Sequence, residues 1–211
     1  MVRVKICGFT SKHDVMEAAE AGADALGFIL APSRRRVSID DVGKMTRGLP
    51  PFVLTVAVVA DPSGEFVAEI TESGLFDAIQ FHGAEPPELL SGVSVRTIKA
   101  FALSGGTFPD VDKYLCADWF LFDSGSAGKG GTGECFDWSL LDRRDFGRPF
   151  ILAGGLGPEN VIEAISTVKP GAVDLNSRIE KEPGVKDHRM MRQALCRIRR
   201  YETRRLESEV K

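Results

Sequence analysis

Short apolar, β-branched segments recur along the chain at intervals of about 18 to 30 residues, with helical or loop-like stretches between them. Runs of this kind are typical of parallel strands that are buried on both faces. Eight such segments are found, at residues 2–7, 25–30, 53–60, 77–81, 94–100, 119–123, 149–153 and 171–175. Each interval has the length of one βα unit, so the pattern predicts eight successive βα units.

Helix start signals lie between several of these strands. The spacing from Ser11 to Asp14 is that of a capping box, and the spacing from Ser38 to Asp41 repeats it. Gly157-Pro158 predicts another helix start, with the proline at the first helical position, where its missing N–H does no harm. Helical patterns after the third, fifth and sixth strands are weaker, and the fourth helix must be short.

Eight βα units without a break in composition predict an α/β fold, a single-domain (β/α)8 TIM barrel over residues 1–211. An open doubly wound sheet is the structural rival, but it leaves two edges and usually changes pattern in mid-chain. The last helix is predicted from about residue 187, with Met191, Leu195 and Ile198 on one face. Beyond about residue 199 it becomes a charged tail, which we interpret as a solvated helix end.

The composition is that of a soluble globular protein, with 43% hydrophobic and 27% charged residues. A net charge of −3 gives no general case for nucleic acid or an acidic membrane as partner, so a bound anion requires a local site. The longest apolar run, 52–60, has less than half of the roughly 20 residues that a membrane helix needs. The four cysteines form no C-x-x-C pair, and free thiols without an export signal predict a cytoplasmic protein.

Two residues at predicted strand ends are candidates for acid-base chemistry, because barrel enzymes react at the carboxyl ends of their strands. Cys7 ends the first strand. A strand cysteine is more often a small buried hydrophobe, but Lys5 shares its face, and packing alone explains two polar groups inside a barrel poorly. Asp123 ends the sixth strand before a glycine-rich segment, 124–133, that we expect to be a mobile loop. A carboxylate there can also simply cap a turn.

That glycine-rich segment also spells G-x-G-x-x-G at residues 128–133. About ten residues separate the preceding strand from the next helix, and the glycines do not open that helix. We therefore reject a dinucleotide site at this place.

Two loops have the character of a phosphate site. Gly154 and Gly155 follow the seventh strand and precede a helix, whose free N–H groups and dipole suit an anion. Asn176 and Ser177 follow the eighth strand, and the loops after strands seven and eight are the usual phosphate position of barrels. The alternative is that the glycines only allow a tight turn.

A histidine and an arginine cluster complete the candidate residues. His82 ends the fourth strand, and Arg34, Arg35 and Arg36 follow the second. Alone, the histidine is more often a structural hydrogen-bonding group and the arginines a solvated loop. At one barrel mouth with a phosphate site, an arginine could clamp a carboxylate bidentately.

Six motifs resemble, in order, those of the phosphoribosylanthranilate isomerase family. They are KICGFT from residue 5, GADALGF from 22, QFHG from 80, GGTG from 130 with FDW from 136, AGGL from 153 with PENV from 158, and PGVKD from 183. The resemblance spans residues 2 to about 198 and implies a (β/α)8 barrel of tryptophan biosynthesis that uses no metal or cofactor. It leaves monomer and homodimer open.

The resemblance implies an Amadori rearrangement of N-(5-phosphoribosyl)anthranilate to 1-(2-carboxyphenylamino)-1-deoxyribulose 5-phosphate. Asp123 is then the general acid at the ribose ring oxygen, and Cys7 is the general base at the sugar C2. The anthranilate-binding arginine falls on Arg35, with Arg34 and Arg36 as alternatives, and His82 lies in the same pocket. The phosphate is expected on the loops that contain Gly154, Gly155, Asn176 and Ser177.

The chain departs from the family pattern after the eighth strand, where Arg178 stands at a position that is commonly glycine. Glycine at such a turn can serve a positive φ or a close approach to the ligand. Arg178 therefore either adds a charge contact to the phosphate or points outward. We also predict that Lys5 and Asp174 form a buried pair beneath the site, because their strands close the barrel.

Three other functions are weighed against the isomerase. Indole-3-glycerol-phosphate synthase, a carbon-carbon lyase, requires a catalytic lysine and glutamates that we cannot place. The dual-specificity barrel of histidine and tryptophan biosynthesis uses paired aspartates, and the cysteine at the end of strand one argues against it. A barrel that only binds a phosphorylated ligand is disfavoured because both Cys7 and Asp123 are present.

Overall fold

The computed structural model describes residues 1–103, 108–123, 138–141 and 144–209. Its centre is a closed barrel of eight parallel strands in which each strand pairs with the next and β8 returns to β1. The strands are β1 Arg3–Cys7, β2 Ala25–Ile29, β3 Leu54–Val59, β4 Ala78–Phe81, β5 Arg96–Ala102, β6 Trp119–Asp123, β7 Phe150–Ala153 and β8 Ala172–Leu175. This closure confirms the predicted barrel and rules out the open sheet.

Alternation along the strands produces two apolar layers. Side chains that point outward, such as Val4 and Ile6 of β1, belong to a large core that includes buried helix residues. Inward-facing residues of other strands form a smaller cluster, with Val56 and Leu121 among its members. Since Val4 and Ile6 face outward, the period of two directs the alternate residues of β1 into the barrel.

Six α-helices accompany the strands in the described part of the chain. They are α1 Lys12–Glu20, α2 Ile39–Met45, α3 Gly64–Glu72, α4 Pro87–Ser91, α5 Val161–Val168 and α6 His188–Glu209. The helix after β4 is short, as predicted. After β5 and β6 the described residues form only 3-10 turns, Val111–Tyr114 and Trp138–Leu141.

Two helix starts differ from the sequence prediction. At the start of α2, Ser38 and Asp41 form both hydrogen bonds of the capping box. At the start of α1, the Ser11 side chain accepts a hydrogen bond from the Asp14 backbone N–H, but the Asp14 carboxylate does not return one, because it bonds His188 instead. Helix α5 begins at Val161 rather than at the predicted proline. The reason is Asn160, whose side chain accepts from the Gly157 N–H at 2.9 Å and so organises a turn before the helix.

The last part of the chain returns to the first strand. A short hairpin, β9 Glu180–Glu182 and β10 Val185–Lys186, leads into α6, and the predicted face of α6 is buried. In the charged tail, Arg199 donates to Asp24 at 2.7 Å and the buried Glu202 accepts from the Val2 N–H at 2.9 Å. This segment is therefore bonded to the barrel as well as solvated. None of the described helices is long and apolar enough to span a membrane.

Candidate active site

A cavity of about 290 Å³ lies at the carboxyl ends of the strands, near the lower limit for small-molecule sites. Seven of the eight predicted site residues line it, namely Cys7, His82, Asp123, Gly154, Gly155, Asn176 and Ser177. The eighth, Arg35, is not part of the lining and lies beside it. The strand-end patterns therefore selected seven residues that share one cavity, while Arg35 is outside its lining.

Cys7 is held by an ion pair directly beneath it. The Lys5 ammonium lies 2.6 Å from a carboxylate oxygen of Asp174, and both side chains are buried, which confirms the predicted pair. The register of β1 on β8 places these two residues opposite each other. The Lys5 ammonium also acts on the Cys7 thiol through its charge, so a cation supports the thiol from below.

The electrostatics of Cys7 combine two opposing effects. Burial raises the pKa of the thiol, while the Lys5 ammonium acts in the opposite direction without cancelling the rise. Burial lowers the pKa of Lys5, but the charges of Asp174 and Cys7 outweigh it and the pKa of Lys5 is raised overall. Without substrate Cys7 is therefore mainly a protonated thiol, next to a lysine that stays charged.

Gly27 of β2 provides the space that Cys7 and Lys5 occupy. A Cβ at this position would meet Cys7 Sγ at 2.7 Å and Lys5 Nζ at 3.0 Å. Because real Cβ contacts are not this short, any side chain here must displace the thiol. Gly27 is thus part of the site although it carries no functional group.

Replacing Gly27 by alanine is expected to lower kcat about a hundredfold, since a shift of roughly 1 Å in a reacting group has this cost. Steady-state kinetics of the variant beside the parent measures the effect. Gly64→Ala is the matched control, because no atom lies within 4 Å of its added Cβ. Parent-like kcat in Gly27→Ala would show that the thiol position is not critical.

His82 connects the fourth and sixth strands at the mouth. Its Nε2 lies 3.8 Å from an Asp123 carboxylate oxygen, and its Nδ1 lies 3.0 Å from Nε2 of Gln80. Since an amide nitrogen only donates, Nδ1 accepts and the neutral ring carries its proton on Nε2, toward Asp123. Burial lowers the pKa of His82, with the Asp123 charge opposing the effect. The predicted mobile segment, 124–133, lies outside the described residues.

A second buried pair supports the His82 loop, and the sequence did not reveal it. Lys99 donates to Glu85 at 2.7 Å and to the Gly83 carbonyl at 2.6 Å. Glu85 in turn accepts from the Gly83 N–H at 2.8 Å. This pair fixes the turn that follows His82, so it sets the position of the imidazole.

Arg35 belongs to a charged network at the edge of the cavity. Its guanidinium donates to both carboxylate oxygens of Glu180, with the shortest contact at 2.6 Å. Lys186 donates to the same carboxylate at 2.8 Å, to Asn176 at 3.1 Å and to the Cys7 carbonyl. Burial raises the pKa of Glu180, but Arg35 and Lys186 outweigh it, so the carboxyl pKa is lowered and the group stays ionised.

This network ties the carboxyl end of β1 to the arginine loop. Of the three adjacent arginines only Arg35 is partly sheltered, while Arg34 and Arg36 are exposed. Lys186 lies in the PGVKD motif, but no spacing signal assigns a role to it or to Glu180, because Arg35 and Glu180 are 145 residues apart.

The glycine turn after β7 has the backbone that the sequence predicts. Gly154 and Gly155 have φ values of 94° and 58°, which favour glycine. Arg178 does not occupy such a conformation, since the described non-glycine residues with positive φ are Asp61 and Lys169. Its side chain instead passes over the turn, with Cβ 3.0 Å from the Cβ position of Gly157 and Nε 3.7 Å from that of Gly155.

Two acceptor atoms in the cavity wall lack a hydrogen-bond donor among the described residues. They are Oε1 of Gln80 and Oδ1 of Asp174, both buried. A buried acceptor without a partner costs free energy, and a ligand that brings donors removes that cost. Hydroxyl groups of a sugar are donors of this kind.

The fold and the cavity together define a class of protein. A closed (β/α)8 barrel with a thiol, a carboxylate and a glycine turn around one cavity at its strand ends has the architecture of a barrel enzyme that acts on a small molecule. A family model described as N-(5'-phosphoribosyl)anthranilate isomerase matches residues 4–196. The chain belongs to this family, which confirms the resemblance found in its motifs.

Relatives are similar over nearly the whole chain. The N-(5'-phosphoribosyl)anthranilate isomerase of Petrotoga mobilis is 45% identical over 201 residues, 94% of this chain and 97% of the relative. The crystal structure of phosphoribosyl anthranilate isomerase from Thermotoga maritima has a TM-score of 0.83 and 39% identity, covering 92% of this chain and 97% of the other.

Another solved relative contains a ligand. It is a phosphoribosyl anthranilate isomerase in complex with reduced 1-(o-carboxyphenylamino)-1-deoxyribulose 5-phosphate. The TM-score is 0.80 with 38% identity, and the match covers 92% of this chain and 97% of that one.

Proposed function

We propose that this chain catalyses the Amadori rearrangement of N-(5-phosphoribosyl)anthranilate to 1-(2-carboxyphenylamino)-1-deoxyribulose 5-phosphate, a step of tryptophan biosynthesis. One observation carries the proposal: Cys7 and Asp123, from strands three positions apart around the barrel, line one cavity with the glycine turn after β7. An acid and a base on different walls suit a reaction that protonates one atom and deprotonates another.

In the first step Asp123 protonates the ribose ring oxygen. The bond between that oxygen and C1 breaks, and the nitrogen lone pair forms a C=N bond, which leaves an open-chain cationic Schiff base. His82, 3.8 Å away, orients the carboxyl group and shields it from solvent. We assign no covalent role to His82.

In the second step the Cys7 thiolate removes the proton from C2 of the Schiff base. The C2 electron pair forms a C1–C2 double bond, the C=N electrons return to nitrogen, and the resulting enolamine tautomerises to the aminoketose. The cationic Schiff base and the Lys5 ammonium both favour the thiolate. The thiol therefore ionises when the substrate is bound, although burial raises its pKa in the free protein.

The remaining residues bind the two anionic ends of the substrate. Gly154, Gly155, Asn176 and Ser177 receive the phosphate, since they line one end of the cavity on the loops after β7 and β8. Arg35 binds the anthranilate carboxylate with one edge of its guanidinium, while Glu180 accepts hydrogen bonds from the other edge. The unpaired acceptors of the cavity wall accept from the sugar hydroxyls.

Arg178→Ala is expected to raise KM about tenfold with little change in kcat, because a guanidinium over the phosphate turn strengthens binding of substrate and transition state alike. Steady-state kinetics of the variant measures both constants. Lys181→Ala, another exposed cation nearby, is the control. An unchanged KM in Arg178→Ala would place this side chain outside the phosphate contact.

Alkylation of Cys7 in the empty enzyme is expected to rise about tenfold per pH unit and to level off only above about pH 8.5, the ordinary thiol value. The thiolate reacts and burial raises the thiol pKa, so the thiolate fraction stays small near neutrality. Inactivation by iodoacetamide across a pH series gives the profile, with the exposed Cys116 followed in the same digests as reference. An alkylation rate that already levels off at pH 7 would contradict a raised pKa of Cys7.

The proposed activity is tested by turnover. Phosphoribosylanthranilate is generated in situ, and the loss of its fluorescence is followed with the purified chain. We expect turnover without added metal or cofactor. A folded chain that binds the reduced product analogue but gives no turnover would identify a binding barrel instead of an isomerase.

We further propose that the whole chain, residues 1–211, is one barrel domain that acts in the cytoplasm on a small phosphorylated substrate, as monomer or homodimer. Support for the location comes from the free thiols Cys7, Cys116 and Cys196. A net charge of −3 argues against nucleic acid as a partner.

A further inference from the structure

Two of the three histidines of the chain meet outside the cavity. His13 lies in the first turn of α1, and His188 is the first residue of α6. The centroids of their rings are 4.8 Å apart. Glu17, one turn along α1, joins them, and one ligand atom from each of the three residues lies within 4.8 Å of the others. The cluster therefore connects the first helix of the barrel with the last.

Asp14 fixes the orientation of His188. Its carboxylate, on a residue only 5% exposed, lies 2.6 Å from His188 Nε2. A carboxylate accepts only, so Nε2 carries the proton and the lone pair of the neutral ring is on Nδ1. Nδ1 lies 3.9 Å from a carboxylate oxygen of Glu17, inside the cluster. A carboxylate behind a histidine is the support that metal-binding histidines commonly have.

The geometry of α1 supplies the other two ligands from one face. His13 and Glu17 are four residues apart, so their side chains lie one above the other on the helix. In a tetrahedral zinc site with bonds of about 2.0–2.1 Å, ligand atoms are about 3.4 Å apart. The distance from His188 Nδ1 to Glu17 is 3.9 Å, about 0.5 Å more than this, and no ligand atom of the three residues lies more than 4.8 Å from another, so the site closes with shifts of up to about 1.4 Å.

We propose that His13, Glu17 and His188 bind a divalent transition-metal cation of the zinc type, with water as the fourth ligand. Two imidazoles and one carboxylate form a donor set that zinc accepts readily. The bound ion cross-links α1 to α6 and stabilises the folded chain. It takes no part in the isomerisation, because none of the three residues lines the catalytic cavity.

Arg192 is the competitor for this site. Its guanidinium donates to the same Glu17 oxygen, and its side chain is 58% exposed. An exposed ion pair contributes little to stability, so the cation displaces the guanidinium into solvent at small cost. Removal of this arginine should therefore strengthen metal binding.

Thermal unfolding of the chelator-treated full chain with and without zinc chloride tests the proposal. At a hundredfold excess over the dissociation constant we expect Tm to rise by roughly 5 to 10 °C. His13→Ala, at an exposed position, should abolish the rise, whereas Lys12→Ala, at the adjacent exposed position, should keep it. Arg192→Gln should reach the same rise at a lower zinc concentration.

Cobalt(II) distinguishes this cluster from the free thiols of the chain. Cobalt bound here gives visible bands without a thiolate charge-transfer band, and His13→Ala removes those bands. The proposal is overturned if zinc does not raise Tm in the parent, if His13→Ala responds like the parent, if Arg192→Gln responds more weakly, or if the cobalt spectrum shows thiolate ligation. Turnover of His13→Ala should equal that of the parent.

Discussion

Cys7→Ala is expected to lower kcat by about 10²- to 10⁴-fold, the range for removal of a group that transfers a proton in the transition state. The alanine leaves the substrate able to form its Schiff base, but no group at the end of β1 then removes the C2 proton. Initial rates of fluorescence loss, with substrate well above KM, measure the effect.

The control for this variant is Cys116→Ala, which removes a thiol that is exposed and outside the cavity. We expect parent-like rates for it. Cys7→Ala fills its site with a smaller apolar side chain above Lys5, so the barrel should fold, and circular dichroism checks this. Retention of more than a tenth of the parent kcat by folded Cys7→Ala would remove the thiol from the mechanism.

Lys5→Met is expected to lower the free energy of unfolding by about 3–5 kcal/mol, because it leaves the buried Asp174 carboxylate without its partner at 2.6 Å. It should also raise the pKa of Cys7 further, since the nearby ammonium opposes the effect of burial there. Urea denaturation gives the stability, and the pH profile of Cys7 alkylation gives the second effect.

Two comparisons separate these effects. Lys113→Met removes an exposed lysine that pairs with Asp110, and we expect no measurable loss of stability. The double variant Lys5→Met with Asp174→Asn should regain part of the lost stability, because no unpaired charge stays buried, while its Cys7 profile remains shifted to high pH. Parent-like stability of Lys5→Met would show that the pair is not effectively buried.

Much of the site followed from local sequence patterns. The repeat of apolar strands predicts the barrel, and in a parallel barrel every strand end meets at one mouth, so seven of the eight candidate residues share the cavity. The pair of Lys5 and Asp174 was predictable for the same reason, because closure brings β1 beside β8. The period of two and the barrel topology are enough to predict where residues on strands lie.

The rest depended on side chains that cross between distant segments. Asp14 has the spacing of a helix cap, yet its carboxylate bonds His188, 174 residues away, because α6 packs beside α1. The sequence assigned Arg35 to a carboxylate of the ligand, which stays a prediction, and the structure shows its guanidinium bonded to Glu180. Charged side chains have several possible partners, and only tertiary packing selects among them. That residues 124–133 form a mobile loop stays a prediction, because they lie outside the described residues.

The account depends most on the claim that Asp123 and Cys7 act on successive steps in one cavity. A double-mutant cycle of kcat for the parent, Asp123→Asn, Cys7→Ala and the double variant tests it most directly. We expect each single variant to lose at least about a hundredfold, and the double variant to be about as slow as the slower single one, because the slower step sets the rate. A kcat within about tenfold of the parent in folded Asp123→Asn or Cys7→Ala would contradict the account.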